Sequence, residues 1–168
     1  LILANPNQIP SAKEREALQD FVEGGGYVLF TGPNIAEFFP DATVSWKTQD
    51  PEWVSYTPNL PSGVTRNAQR VTIQPEAYWR DLNESQLAMY GNDHLPAVVS
   101  WQIDEGAILW WCGPAPLTNA GITKDDNLAF FLNSVSNWAP ENSYQIYWDE
   151  YFHGQRSSLW SYTRNTPL

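Results

Sequence analysis

Apolar residues fall in short runs along this chain, and the spacing within each run predicts the element it forms. Leu1-Ile2-Leu3-Ala4 is a continuous apolar run closed by Asn5-Pro6, the pattern of a short buried strand. In "SAKEREALQDFVEGGG" the period changes, and Ala17, Leu18, Phe21 and Val22 recur at helical spacing. Ser11 as N-cap and Glu14 three residues on make a capping box. Gly24-Gly25-Gly26 ends the helix, because glycine takes the left-handed conformation past a helix end at little cost. "YVLFTG" is a second buried strand. Strand, helix and strand with short links form a βαβ unit, which predicts parallel pairing. "TGPN" (Thr31 to Asn34) then precedes a short helix, "IAEFF". Its amides could hold an anion, but a β–α turn with Asn34 as N-cap explains it as well.

Beyond this unit the pattern loosens. Residues 40–70 are rich in Pro, Ser, Thr and Asn and hold one or two short strands at most. "RVTIQ" alternates as a strand does, while "EAYWRDL" and "ESQLAMYG" read as short helical pieces. The whole stretch 40–90 is expected to be a long excursion, of the kind that forms lids or partner surfaces. "AVVSWQI" and "AILWWCG" flank Asp104-Glu105-Gly106 and predict a β-hairpin with glycine supplying a positive φ. "DDNLAFFLNSVSNW" predicts a helix started by Asp125 or Asp126, with Leu128, Phe131, Leu132 and Val135 as its buried stripe. "SYQIYW" is a last strand that runs into "WDEYFHG". The expected fold is a single three-layer α/β domain over residues 1–154. Its sheet is mostly parallel and flanked by helices, with a β-hairpin in the second half. Residues 155–168 form a polar tail.

Composition narrows the function classes. A chain of 168 residues suits one domain. Nine Lys and Arg against 19 Asp and Glu give a net charge of −10, which argues against nucleic acid and against direct binding to anionic lipid. The glycine triplet lies after a helix and before a strand, the reverse of a dinucleotide fingerprint, so no cofactor is called for. No run of about 18 apolar residues is present. The chain opens inside a strand and its one methionine is Met89. It is therefore expected to be a fragment whose targeting segments have been removed.

Four groups of residues could carry chemistry. Cys112 ends a strand, as a nucleophile on an elbow would, but its neighbours Trp110 and Pro114 do not suit a tight elbow. A lone cysteine on an apolar strand is ordinarily a small buried hydrophobe, and one cysteine excludes both a disulfide within the chain and a Cys-based zinc site. "YWDEYFHG" joins Asp149, Glu150 and His153, with three readings open. The carboxylates and imidazole can form a structural knot, a ligand or partner site, or a catalytic or metal site, with Glu150 and His153 one turn apart if the chain coils. No metal is assigned to it, because His94 is the only other histidine. Asn119, Asp126 and Asn127 can cap and brace the second long helix. Asn5, Asn34, Asn119 and Asp149 would also fall near the carboxyl ends of strands, where open α/β sheets bind ligands. Of the nine Trp, Trp101, Trp110, Trp111, Trp138 and Trp148 read as core, whereas Trp46, Trp53 and Trp79 in the excursion are candidates for a partner patch.

Three segments, "LILANPNQIPSAKEREALQDFVEGGGYVLFTG", "GPAPLTNAGITKDDNLAFFLN" and "WDEYFHG", together resemble a bacterial family of domains of unknown function, number 4350. The resemblance implies a fold like that of class I glutamine amidotransferases. It also implies an extracytoplasmic domain in a membrane-anchored protein, encoded near MoxR-type ATPases, with no reaction established. The amidotransferase partner pattern His-x-Glu is absent, since Gly154 and Gln155 follow His153. The expected function is thus noncatalytic. The domain would sense a small ligand or bind a membrane-protein partner, through Asn5, Asn34, Asn119, Asp126, Asn127, Asp149, Glu150 and His153. The tail would lead to a trimmed membrane segment. The alternatives are a hydrolase acting on glycans or amides through Glu150, His153 and Asp149, and a structural spacer.

Overall fold

The computed structural model describes residues 1–46, 50–92, 94–137 and 145–154. In chain order, β1 (Ile2–Ala4) leads through α1 (Ala12–Glu23) to β2 (Tyr27–Thr31). An excursion follows, made of α2 (Ile35–Phe38), β3 (Val44–Trp46), β4 (Val54–Tyr56), β5 (Val71–Ile73) and β6 (Ala77–Trp79). The chain then returns through β7 (Gln86–Asn92), β8 (Leu95–Ile103) and β9 (Gly106–Trp111) to α3 (Asn127–Ser136). Short 3₁₀ turns lie at Ala115–Leu117 and Tyr151–His153. The expected tail, residues 155–168, and Trp138 lie outside the described residues.

The main sheet has the order β1-β2-β9-β8-β7. β1, β2 and β9 are parallel, whereas β8 pairs antiparallel with both β9 and β7. The fold is a mixed α/β one, and the sheet is only half parallel. Connection length is the reason: Ile103 pairs with Gly106 and Asn92 with Leu95, and such tight loops can join only antiparallel strands. In the β8–β9 turn the positive φ belongs to Asp104, at 49°, and not to the glycine. Gly106 answers a different need, because a Cβ there would lie 2.0 Å from the Val22 carbonyl oxygen.

Helix α1 starts and stops as its sequence predicts. Ser11 and Glu14 form the reciprocal capping box. At the other end Gly26 N–H donates to Phe21 O and Gly25 N–H to Val22 O, with Gly25 at a φ of 94°, which is a Schellman motif. Only Val22 of its apolar face is buried; Leu18 is half-buried and Ala17 and Phe21 are exposed.

The excursion ends earlier than residue 90. β3 pairs with β6 and β4 with β5 as two small antiparallel ribbons, and β7 belongs to the main sheet. "EAYWRDL" and "ESQLAMYG" are therefore strand-forming, not helical. In the second, a register shift after Ala88 breaks the two-residue alternation. The buried residues become Gln86, Met89 and Tyr90, an i, i+3, i+4 spacing that imitates a helix.

Every residue of β9 is buried, as suits the centre of the sheet. Register places Phe30, Trp110 and Val99 side by side on one face, with Trp101 beside Ile108. On that face Trp79 of β6 packs against Trp101 and Trp110 at 5.1 and 5.3 Å, and Phe38 of α2 against Phe30 at 5.1 Å. On the other face Phe130 of α3 stacks on Trp111 at 4.3 Å and meets Tyr90 edge-on at 5.1 Å. The sheet is covered on both sides. The buried residues of α3 are Asn127, Phe130 and Ser134, while Leu128 and Leu132 are exposed, so the expected stripe faces largely outward.

Candidate functional site

The residues singled out above fall into two groups. The first lies at the carboxyl ends of β1 and β2. Ile2 N–H donates to Tyr147 O at 2.8 Å and Asp149 N–H to Ile2 O at 2.9 Å, so Trp148 forms a parallel bridge beside β1. The chain then coils, as a Glu150–His153 site would need. One Asp149 carboxylate oxygen accepts Tyr151 N–H and the other Phe152 N–H, both at 3.2 Å. Asn7 and Gln8 N–H both donate to Phe152 O at 3.0 Å. The Phe152 ring is buried against Phe38 at 5.0 Å, and Tyr151 Oη donates to Glu14 Oε1 at 2.7 Å. Burial pushes the Asp149 carboxyl above its ordinary value, although these N–H bonds and His153 act the other way. The stretch ties the end of the described chain to its beginning.

Glu150 is exposed, and His153 N–H reaches its carbonyl at 3.3 Å, but their side chains share no hydrogen bond among the described residues. His153 Nε2 is buried with no partner among the described residues. Asn5 takes a φ of 55°, and Gly32, at 92°, packs so closely that a Cβ there would lie 2.3 Å from Asn5 Oδ1. Asn34 Nδ2 donates to Pro6 O at 2.8 Å and does not cap α2, which has only four residues. "TGPN" is therefore a brace between two strand exits.

The second group surrounds the start of α3. Asn127 is fully buried; its Oδ1 accepts Thr72 N–H at 2.9 Å, and its Nδ2 donates to Thr72 O and Gly121 O at 2.7 and 2.8 Å. Asp126 is the N-cap residue by position, but its carboxylate accepts Arg70 N–H at 2.9 Å instead of a helix amide. Asp125 meets the Thr72 hydroxyl. These contacts lash the excursion to α3. Burial, and then the charge of Asp126, push the Tyr90 hydroxyl up. Asn119 is exposed in the preceding loop. The two groups are thus held by different partners, Pro6 and Phe152 in one and Thr72 and Arg70 in the other.

Cys112 is fully buried, and its carbonyl accepts Glu76 and Ala77 N–H at 2.8 and 3.2 Å. Gly113 and Pro114, not a helix, follow it. No nucleophile elbow is formed. Trp101, Trp110 and Trp111 are core, as expected, whereas Trp148 is 46% exposed. Of the excursion tryptophans, Trp46 is 63% exposed, Trp53 lies under the Lys124 ammonium at 4.6 Å, and Trp79 is fully buried. Among the described residues no group of three or more His, Cys, Asp or Glu could hold a metal, and no helix is long and apolar enough to cross a membrane.

An open cleft of about 540 Å³ lies in the excursion, lined among others by Pro58, Asn59, Pro61, Arg66, Asn67 and Gln69. Sequence patterns pointed to the excursion as a functional surface but not to these residues. Its signal was the Pro- and Asn-rich composition of residues 58–69, which has no periodicity to mark a concave surface.

The profile of a domain of unknown function (DUF4350) matches residues 1–135. The chain belongs to this family. No curated protein matches this DUF4350 chain significantly. Its fold is similar to that of the mmIFT52 N-terminal domain, with a TM-score of 0.64 at 14% identity over 86% of this chain and 78% of that one. It is also similar to a ThuA-like protein from Bacteroides uniformis, with a TM-score of 0.57 at 14% identity over 82% and 67% of the two chains. A protein from Thermoplasma acidophilum described as belonging to a GMP synthase gives a TM-score of 0.57 at 11% identity, over 82% and 70%. At such identities the likeness concerns the fold alone.

Proposed function

We propose that this DUF4350 domain is a noncatalytic sensing or interaction module, the extracytoplasmic part of a membrane-anchored bacterial protein, with an amidotransferase-like framework that lacks the catalytic machinery. One observation carries the noncatalytic part: apart from Glu150 and His153, the groups singled out for chemistry are engaged in holding backbone or sealed in the core. Asp149 accepts two amides, Asn127 brackets Thr72, Asn34 holds Pro6, and Cys112 is sealed in the core. The likeness to a domain described as the N-terminal part of mmIFT52 supports a modular role. Exposed Trp46, Leu128 and Leu132 support a partner surface.

A hydrolase using Glu150 and His153 is the second reading. Its one support is that His153 Nε2 is buried without a partner among the described residues, three positions along the chain from an exposed Glu150. The purified domain should hydrolyse no p-nitrophenyl ester, amide or glycoside above the buffer rate. Turnover that disappears in both His153→Ala and Glu150→Gln would establish the hydrolase instead. The location is tested separately, by adding protease to intact spheroplasts that express the full-length protein. Digestion of this domain is expected, and protection would overturn the extracytoplasmic assignment.

A further inference from the structure

We propose that the cleft in the excursion binds a small polar molecule that carries one carboxylate. This deepens the reading of the domain as a binding module and rests on it. The cleft, at about 540 Å³, falls in the range of about 300–1,000 Å³ typical of small-molecule sites. Four long polar side chains line it: Asn59, Arg66, Asn67 and Gln69. None of these side chains has a hydrogen-bond or ion-pair partner among the described residues. That contrasts with Asn34, Asn127 and Asn133, whose carboxamides all bind backbone. The bracing carboxamides are buried or half-buried, whereas those of the cleft are exposed to solvent and so accessible to a ligand.

The loop is held in shape without a ligand. Tyr90 Oη donates to Ala68 O at 2.7 Å, and Asn59 N–H donates to Met89 O at 2.9 Å. Asn133 Nδ2 donates to Val64 O at 3.1 Å and also to Arg66 O. Ser62 and Thr65 exchange side-chain bonds with each other's amides at 2.8 and 3.2 Å. A loop pinned from β7, from α3 and from within loses little entropy on binding.

The lining sets the ligand chemistry. Arg66 is the one charged side chain among the lining residues, so it matches a single negative charge, and guanidinium and carboxylate meet through two parallel hydrogen bonds. Three carboxamides can donate to and accept from neutral hydroxyl or amide groups, which a bare anion does not offer. Pro58 and Pro61 give rigid apolar wall. An acidic sugar and the carboxyl end of a short peptide share this chemistry.

The test is titration of the ¹⁵N-labelled domain with glucuronate, N-acetyl-Ala-Ala, glucose and inorganic phosphate. We expect the side-chain resonances of Asn59, Arg66, Asn67 and Gln69 to shift with glucuronate or with the dipeptide; whichever acts identifies the source. Arg66→Ala should weaken that binding at least tenfold, whereas Arg70→Ala, next to the cleft but outside its lining, should leave it within twofold. Both arginines are exposed, so both variants should fold. The proposal is overturned if neither carboxylate shifts these resonances at about 10 mM, ten times a Kd of about 1 mM. It is also overturned if phosphate or glucose binds as well as they do, or if Arg70→Ala costs as much as Arg66→Ala. Its failure would leave the noncatalytic reading intact, since that stands on the hydrolysis assays.

Discussion

Asn127 meets Thr72 as a neighbouring strand would. Its side chain accepts the Thr72 N–H at 2.9 Å and donates to the Thr72 C=O at 2.7 Å, so a helix residue completes the backbone pairing of β5. The three bonds of this carboxamide are all buried. Truncation would leave the Thr72 N–H and two carbonyls without partners, at about 1–3 kcal/mol for an unsatisfied buried group. Asn127→Ala should therefore lower unfolding free energy by about 2–4 kcal/mol in urea titrations. Asn127→Asp should cost at least as much, because a carboxylate cannot donate to the Thr72 and Gly121 carbonyls. A loss below about 1 kcal/mol for both variants would mean that the excursion is not held through this residue.

The glycines at the α1–β2 and β8–β9 junctions differ in what they do. Gly25 has a φ of 94° and open surroundings, with the nearest atom to an added Cβ at 3.9 Å. Gly106 needs no unusual φ, but a Cβ there would lie 2.0 Å from Val22 O and 2.3 Å from Gly26 O. Gly25→Ala should cost about 1 kcal/mol, the price of a left-handed alanine. Gly106→Ala forces the helix end and β9 apart and should cost more, about 2–3 kcal/mol. Thermal or urea unfolding of the two variants side by side tests the order, and a Gly25→Ala variant that is the less stable would reverse it.

Local signals made the first half of the fold legible. The capping box of Ser11 and Glu14 and the glycine stop of α1 depend on a few adjacent residues, and they appear as read. β8 and β9 were legible as long apolar runs around a turn. What failed were inferences from periodicity where tertiary packing sets the pattern. The bulge in β7 buries Gln86, Met89 and Tyr90 at helical spacing. In α3 two polar residues, Asn127 and Ser134, occupy the inner face because each has a backbone acceptor there: Ser134 Oγ donates to Phe130 O at 2.7 Å. The candidate site was legible residue by residue, not as a group. Asp149 proved a turn cap, and nothing in the sequence tied Asn127 to Thr72, 55 positions away.

Asp149 gives the protein a pH dependence of definite sign. Its folded pKa is raised above the ordinary 3.8 by burial. The folded state therefore keeps this proton to higher pH than the unfolded chain does. The contribution to stability is complete below pH about 3.8 and is lost as pH rises through the raised value. Burial raises Glu76 as well, in the same direction. Asp149→Asn removes one titrating group and one acceptor for the Phe152 N–H. The variant should be less stable throughout, yet its stability should fall less steeply as pH rises above about 3.8 than that of the parent. Urea midpoints at half-unit pH steps give both curves, and parallel slopes would show that Asp149 does not titrate in this window.

Helix α3 offers the sharpest contrast between apolar character and burial. Leu128 and Leu132 are 53% and 52% exposed, whereas Phe130 is fully buried between Trp111 and Tyr90. Removing the Phe130 ring deletes a stacked and an edge-on contact and leaves a cavity beside the central strand. Phe130→Ala should cost about 3–5 kcal/mol. Leu128→Gln and Leu132→Gln remove side chains that are already half in water, and each should change stability by no more than about 0.5 kcal/mol. The same leucines are candidates for a partner surface, so the double variant is a tool as well as a test. It should keep the fold of the domain, measured by urea unfolding and by the tertiary circular dichroism of its buried tryptophans. A loss above about 1.5 kcal/mol in the double variant would show that this face is covered in solution, and that the buried side of α3 is wider than Asn127, Phe130 and Ser134.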